Sequence, residues 1–303
     1  MATVPADVEK MDLGKLMDRF HSDERCRDLL GALRWPDGVR CPRCEHDKVW
    51  ETARAQYECS RCSYRFSVLS GTIFHDTKLP LQKWFLAIAI MVEAKKGISA
   101  SQLKRTLGVS YKTAWYLCHR IRAAMAQASF KLLSGTVEVD ETYVGGKVRG
   151  KGHGYKGNKR IVAGAVQRGG DVVLQVIDDN GRRTLHGFIK DNIIPATERI
   201  ITDEWPAYKG IADHDTSHET VNHSQEEWVR GDTHTNTVES VWSLFKRSLI
   251  GSYHQLSGKH LQAYLDELEW RYNNRKNPYL FRDTLIRLLK SENLEYKELI
   301  ASS

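Results

Sequence analysis

Three acidic side chains in the second half of this 303-residue chain are spaced for metal-assisted chemistry on phosphate esters. Asp140 closes the alternating run Val-Glu-Val-Asp-Glu-Thr, and Asp203 follows a second apolar run in Ile-Ile-Thr-Asp-Glu-Trp. Glu239 is separated from Asp203 by thirty-five residues, inside the helix-patterned stretch His234 to Arg247. Taken singly, a strand-end Asp is a common turn former. Two at the edge of one sheet, joined by a third oxygen ligand on a helix, make a site for hard divalent cations. Two Mg²⁺ or Mn²⁺ ions there would stabilise both the attacking and the leaving oxygen of an in-line phosphoryl transfer. Lys246 stands about two helical turns beyond Glu239 on the same face, where its ammonium can hold a phosphate. Glu141 and Glu204 adjoin the two Asp residues but alternate to the opposite side of a strand.

A second chemistry sits near the N-terminus. Cys41-Pro-Arg-Cys44 and Cys59-Ser-Arg-Cys62 are separated by fourteen residues. Two tight turns, each presenting two thiolates and brought together by a hairpin, form a tetrahedral four-cysteine site for one structural Zn²⁺. A redox pair would stand alone at the start of a helix, whereas Val39, Val49, Trp50, Tyr57, Tyr64 and Phe66 suggest strands around these turns. Cys26 and Cys118 have no such partners and read as buried thiols. His214, His218 and His223 lack paired spacing and make a poor second zinc site.

The elements that must position these groups follow from periodicity. Residues 1–34 are patterned as helix, with Ser22 a cap ahead of Asp23 and Glu24, until Trp35-Pro-Asp-Gly38 breaks the pattern. From Leu81 to Phe130 the spacing is helical almost throughout. Within it, Ser99 to Leu107, the turn Gly108-Val-Ser110 and Tyr111 to Arg122 have the form helix, turn, helix. Leu103, Leu107, Val109, Ala114, Leu117 and Ile121 form its packing stripe. Tyr111, Lys112 and Thr113 would then open a helix that reaches base edges in DNA, against the plainer reading of a helical hairpin in a core. Beyond Thr136 the pattern predicts strands at 137–140, 161–166 and 172–177, a helix at 184–193, a strand at 199–202 and a longer helix from about Thr235 to Leu249. This is a mixed α/β core around one central sheet. Between the first two strands, Gly145 to Arg160 holds six Gly, six Lys or Arg and no acid. Lys147, Arg149 and Lys151 in this loop are candidates to clamp DNA phosphates; the alternative is a solvated hairpin.

Lys and Arg outnumber Asp and Glu by 45 to 38, giving a net charge of +7 and a polyanion as the first partner to test. The longest apolar stretch, Trp84 to Val92, is far too short to span a bilayer, so no membrane partner is expected. The N-terminus carries acids where a secretory signal needs a basic start, which predicts a cytoplasmic protein.

The combined motifs resemble the bacterial insertion-sequence DDE transposases that carry an N-terminal zinc ribbon, the ISXO-like group. The resemblance rests on Arg34-Trp-Pro-Asp-Gly-Val-Arg-Cys-Pro-Arg-Cys44, Phe66-Ser-Val-Leu-Ser-Gly-Thr-Ile-Phe74, Val139-Asp-Glu-Thr-Tyr-Val-Gly-Gly-Lys147, Thr202-Asp-Glu-Trp-Pro-Ala-Tyr208, His234-Thr-Asn-Thr-Val-Glu239 with Phe245-Lys-Arg247, and Trp270-Arg-Tyr-Asn-Asn-Arg275. It implies an RNase H-like catalytic core with a mixed five-stranded sheet. It also implies Mg²⁺-dependent cleavage at transposon ends and joining of the freed 3′-hydroxyl to target DNA. Terminal inverted repeats and target DNA would be the partners, met by a homo-oligomer assembled on DNA in the bacterial nucleoid. In this group the third catalytic residue is given as Asn or as Glu, which leaves Asn236 open beside Glu239, one turn away on the same face. Charge favours Glu239, because two divalent cations face only two negative charges from Asp140 and Asp203; Asn236 then either supports a metal ligand from behind or contacts a substrate phosphate.

The organisation expected is a helical segment 1–34, a zinc ribbon 35–75, a helix-turn-helix region 76–130, a catalytic domain 131–285 and a tail 286–303. The contrasting readings are a zinc-ribbon, helix-turn-helix regulator with an inactive RNase H-like domain, and a plain nuclease that cuts without joining.

Overall fold

The computed structural model describes residues 12–301 apart from 54, 127–131, 146–158, 223–224, 226–228 and 255. Its described residues form two compact units, one running to Ala126 and resuming at Lys276, the other from Leu132 to Arg275.

In the first unit, α1 (Leu13–Arg19) and α2 (Asp23–Arg34) begin at Asp12 and Ser22, whose side chains accept the amide hydrogens of Lys15 and Arg25. A small antiparallel sheet follows, β1 (Val49–Thr52), β2 (Gln56–Cys59) and β3 (Arg65–Phe66), paired in that order. Its buried centre is only Cys41, Cys59 and Phe66, too little apolar surface to fold without a further constraint. The next helix, α3 (Leu81–Glu93), is apolar nearly all round and is buried accordingly. The eight-residue α4 (Ala100–Leu107) starts at Ser99 and stops at Gly108, which takes the left-handed conformation at φ 60° that a side chain would strain. A 16-residue helix, α5 (Tyr111–Ala126), starts at Ser110, whose hydroxyl accepts the Thr113 amide at 3.1 Å. Of the predicted packing stripe, Leu103, Leu107, Ala114, Leu117 and Ile121 are buried and Val109 is half-buried, as a helical hairpin in a core would also place them.

In the second unit, β4 (Thr136–Val144), β5 (Arg160–Gln167) and β6 (Val172–Ile177) form an antiparallel meander. After α6 (Arg182–Asn192), β7 (Arg199–Asp203) returns parallel to β4, and β8 (Ser217–Val221) pairs parallel to β7. The sheet order is β6-β5-β4-β7-β8. Two helices complete the unit, α7 (Asn236–Ser248) and α8 (Leu261–Asn273). One core lies between the sheet and α6, around Val137, Val139, Leu185 and Phe188; the other lies between the sheet and α7 with α8, around Val162, Leu174, Val241 and Trp242.

Within the sheet, two features differ from the sequence expectation. The first strand does not end at Asp140 but continues to Val144, because β5 pairs with it throughout while β7 reaches only Glu138. The residue pattern gave no strand at 217–221, where β8 lies at the sheet edge with little of it buried, so its polar residues carry no apolar alternation. At the opposite edge, α8 lays side chains along β6. Asn273, Glu269 and Gln262 accept the amides of Val172, Leu174 and Val176 at 2.8, 3.0 and 2.8 Å. Asn273 and Gln262 also donate to the carbonyls of Val172 and Leu174.

The chain then rejoins the first unit. Its α9 (Leu280–Lys290) packs on α2, α3 and α5, with Phe281 edge-on to Phe85 at 5.7 Å, and α10 (Tyr296–Ile300) sets Tyr296 edge-on to Tyr116. The α/β unit therefore ends near Arg275 and not at 285, and the residues beyond are no separate tail, because Leu285, Leu288 and Leu289 are buried in the helical unit.

Candidate active site and zinc centre

Parallel pairing sets the two aspartates side by side. Glu138 pairs with Ile201, so two residues further along both strands Asp140 and Asp203 stand at the same level. Ile200 belongs to the core on the α6 side, so alternation turns Ile201 and Asp203 toward α7, the face that Glu138 and Asp140 also take. Asp140 Oδ2 accepts the indole N–H of Trp242 at 2.8 Å. The Trp242 ring reaches this position because Gly164, opposite Asp140 in the β4–β5 register, carries no side chain; a Cβ there would lie 2.6 Å from the ring. Burial, then the charges of Glu141 and Asp203, push the Asp140 carboxyl up to about 7. Asp203 Oδ1 accepts the Trp205 amide at 3.0 Å, which fixes the turn leaving β7.

Glu141 lies on the opposite side, as alternation requires. Its carboxylate accepts Tyr208 Oη–H at 2.5 Å and an Asn180 amide hydrogen at 3.3 Å, and burial raises its pKa. Glu239 sits exposed in the first turn of α7, its Oε1 accepting the Thr235 hydroxyl at 2.8 Å. Among the described residues, the four ribbon cysteines are the one group of three or more potential ligands within 4.8 Å of one another, so the structure does not draw Glu239 to ligand distance of both aspartates. Asn236 opens α7 and is exposed; Lys246 is exposed in its last turn, on the Glu239 side. Lys147, Arg149 and Lys151 lie outside the described residues.

The zinc site is complete. Cys41 and Cys62 sulfurs are 3.7 Å apart, Cys44 and Cys59 3.6 Å, and Cys44 and Cys62 3.5 Å. Four thiolates around a tetrahedral Zn²⁺ at about 2.3 Å would stand about 3.8 Å apart, so the donor set and its spacing fit the ion. At the start of α5, Tyr111 and Lys112 are exposed, the Lys112 ammonium lies 4.3 Å from the Tyr296 ring centre, and the Thr113 hydroxyl is 2.8 Å from that of Ser110. His214 pairs with Asp215 at 3.0 Å and His218 contacts the Thr202 hydroxyl at 3.0 Å; His223 lies outside the described residues.

Sequence reasoning missed four participants: Glu138, Gly164, Trp242 and Tyr208. Glu138 carried a signal, an acid sharing the strand face of Asp140. The others show their role only against residues far along the chain.

Residues 132–273 match the ISXO2-like transposase domain, and residues 21–65 match the transposase zinc-ribbon domain. An uncharacterized protein in transposable element ISH50 of Halobacterium salinarum is 31% identical over 281 residues, covering 83% of this chain and 91% of its own length. The chain belongs to the ISXO2-like transposases with an N-terminal zinc ribbon. An uncharacterized transposase-like protein of Haemophilus influenzae is 29% identical over 103 residues, covering 34% of this chain and 81% of its own. A chain of a pre-cleavage Mos1 transpososome aligns at 10% identity and a TM-score of 0.29 over 68% of this chain and 75% of its own, too slight a likeness to carry weight. Among the described residues no helix is long and apolar enough to cross a membrane.

Proposed function

We propose that this insertion-sequence transposase binds the terminal inverted repeats of its element, cleaves phosphodiester bonds there and joins the ends to target DNA. The observation that carries this reading is the placement of Asp140 and Asp203 two residues beyond the last paired residues of two adjacent parallel strands, close enough that burial and the charges of Glu141 and Asp203 raise the Asp140 pKa to about 7. A carboxylate held in that state is a poor structural device and a good ligand for a cation, which supplies the missing positive charge. The strand and helix order, β-β-β-α-β with the sheet 3-2-1-4-5, supports an RNase H-like core.

In this reading Asp140 and Asp203 hold Mg²⁺ or Mn²⁺, with Glu239 as the third ligand. Cations held there by these carboxylates would supply Lewis-acid chemistry at the scissile phosphate and at the attacking hydroxyl. Trp242 orients the Asp140 carboxylate, Asn236 contacts a substrate phosphate, and Lys246 neutralises a second one on the Glu239 face of α7. Tyr111, Lys112 and Thr113 open a recognition helix. Lys147, Arg149 and Lys151 hold backbone phosphates. Assembly on paired ends makes the working form a homo-oligomer.

The decisive test is Asp203→Asn in end-cleavage assays with Mg²⁺. The amide preserves shape and discards the charge, so DNA binding should persist while cleavage falls below detection. Wild-type cleavage by this variant would eliminate a cation site built on Asp203, and absence of cleavage by the wild-type protein would favour a DNA-binding regulator.

A further inference from the structure

We propose that Glu138 is a positioning residue that locks the start of α7 against the catalytic strand and thereby sets where Glu239 stands relative to Asp140. The proposal rests on the reading of Asp140, Asp203 and Glu239 as cation ligands and assigns them a common mount. Helix α7 receives no cap from its own N-terminal residue: the Thr235 side chain bonds Glu239 and not the free amides of the first turn. Those amides go to the sheet instead. Glu138 Oε2 accepts the Thr237 and Val238 N–H groups at 2.7 and 3.0 Å, and Oε1 accepts the Thr237 hydroxyl at 2.8 Å. The carboxylate is fully buried, and its charge is matched by Arg168 Nε at 2.8 Å. Arg168 also donates to the carbonyls of Asp232 and His234, so the segment entering α7 is tied to the same acid.

The spacing makes this a register lock. Glu138 and Asp140 are two residues apart on one strand face, about 6.8 Å at about 3.4 Å per residue. Their helix partners Val238 and Trp242 are four residues apart, about 6 Å at 1.5 Å per residue. Strand and helix are thus pinned at two matched points, and Glu239 lies in the turn between them. A buried, paired carboxylate contributes little net stability compared with an apolar contact, yet it is unforgiving of displacement. Helix N-termini favour an anion, which explains why an acid occupies this position.

The test uses the full-length, zinc-loaded protein with Glu138→Gln and the milder Thr237→Val, which removes one of the bonds from the helix side. Three readouts are needed: Mn²⁺ affinity by electron paramagnetic resonance, amide exchange in the first turn of α7, and the Mg²⁺ dependence of end cleavage below the unfolding temperature. Loosening a support of metal ligands costs about tenfold or more in metal affinity. Glu138→Gln should weaken Mn²⁺ binding by that factor, raise half-saturating Mg²⁺ in parallel and speed exchange at residues 237–241. Exchange in β5 and DNA affinity should stay at wild-type values, and Thr237→Val should move every affected quantity the same way by less. Wild-type Mn²⁺ affinity in both variants would overturn the proposal and leave Glu138 a structural cap. A wild-type protein that binds no Mn²⁺ would sink the cation reading itself and the positioning role with it.

Discussion

Asp140→Asn should make the cation-free protein more stable at pH 8 while leaving it unchanged near pH 4. The carboxyl ionises at about 7 in the fold, driven up first by burial and then by Glu141 and Asp203, against 3.8 as its ordinary value. Below pH 3.8 it is protonated in both folded and unfolded chains and contributes no difference. Between these values the unfolded chain loses the proton while the fold retains it, so stability falls as pH rises, and the loss is complete above the folded value. At about 1.36 kcal/mol per pH unit, the folded protein gives up about 4 kcal/mol across this window. The Asn amide oxygen can still accept the Trp242 indole hydrogen and carries no charge to bury. Amide exchange of β4 and β5, followed in the absence of added Mg²⁺ with zinc retained, reads the opening free energy of this unit directly. The variant should gain up to about 4 kcal/mol over wild type between pH 4 and pH 8. Adding Mg²⁺ at pH 8 should protect only the wild type, by mass action on a site the variant lacks. An identical stability difference at both pH values would show that Asp140 is not held in a charge-averse position.

Cys44→Ser should release stoichiometric zinc and unfold the ribbon around β1 to β3; unchanged zinc content by mass spectrometry would contradict a four-thiolate site. Gly164→Ala places a methyl group 2.6 Å from the Trp242 ring; such overpacking costs about 1–3 kcal/mol, and urea unfolding together with slower end cleavage would register it. Of Glu239→Gln and Asn236→Ala, the first should abolish Mg²⁺-dependent cleavage and the second reduce it about tenfold, as loss of one phosphate contact does. The reverse ranking would transfer the ligand role to Asn236.

Local chemistry was legible and long-range docking was not. The cysteine spacing announced its site because each pair is closed within four residues, and Asp140 and Asp203 were readable because apolar runs end in acids there. The approach of these acids to one another depends on the parallel register of β4 and β7, which no periodicity encodes. Strand β8 escaped because an edge strand need not alternate. Glu138 looked like the outward half of an alternating strand; its partners, Arg168 and the first turn of α7, are thirty and about a hundred residues away. The return of residues from 276 onward to the helical unit had no local signal either, since an amphipathic helix states that it has a buried face without stating against what.

The helix laid along β6 bears on how copies of this protein meet. Three successive outward amides of that strand are already occupied by Asn273, Glu269 and Gln262. Another chain offering a strand would have to strip off α8 before forming a single ladder bond. This border of the sheet is therefore insulated from fusing with the sheet of a neighbouring molecule into a continuous ribbon. A contact between copies would have to use some other surface, one free to be specific and reversible, because the sticky alternative at this edge has been closed from within.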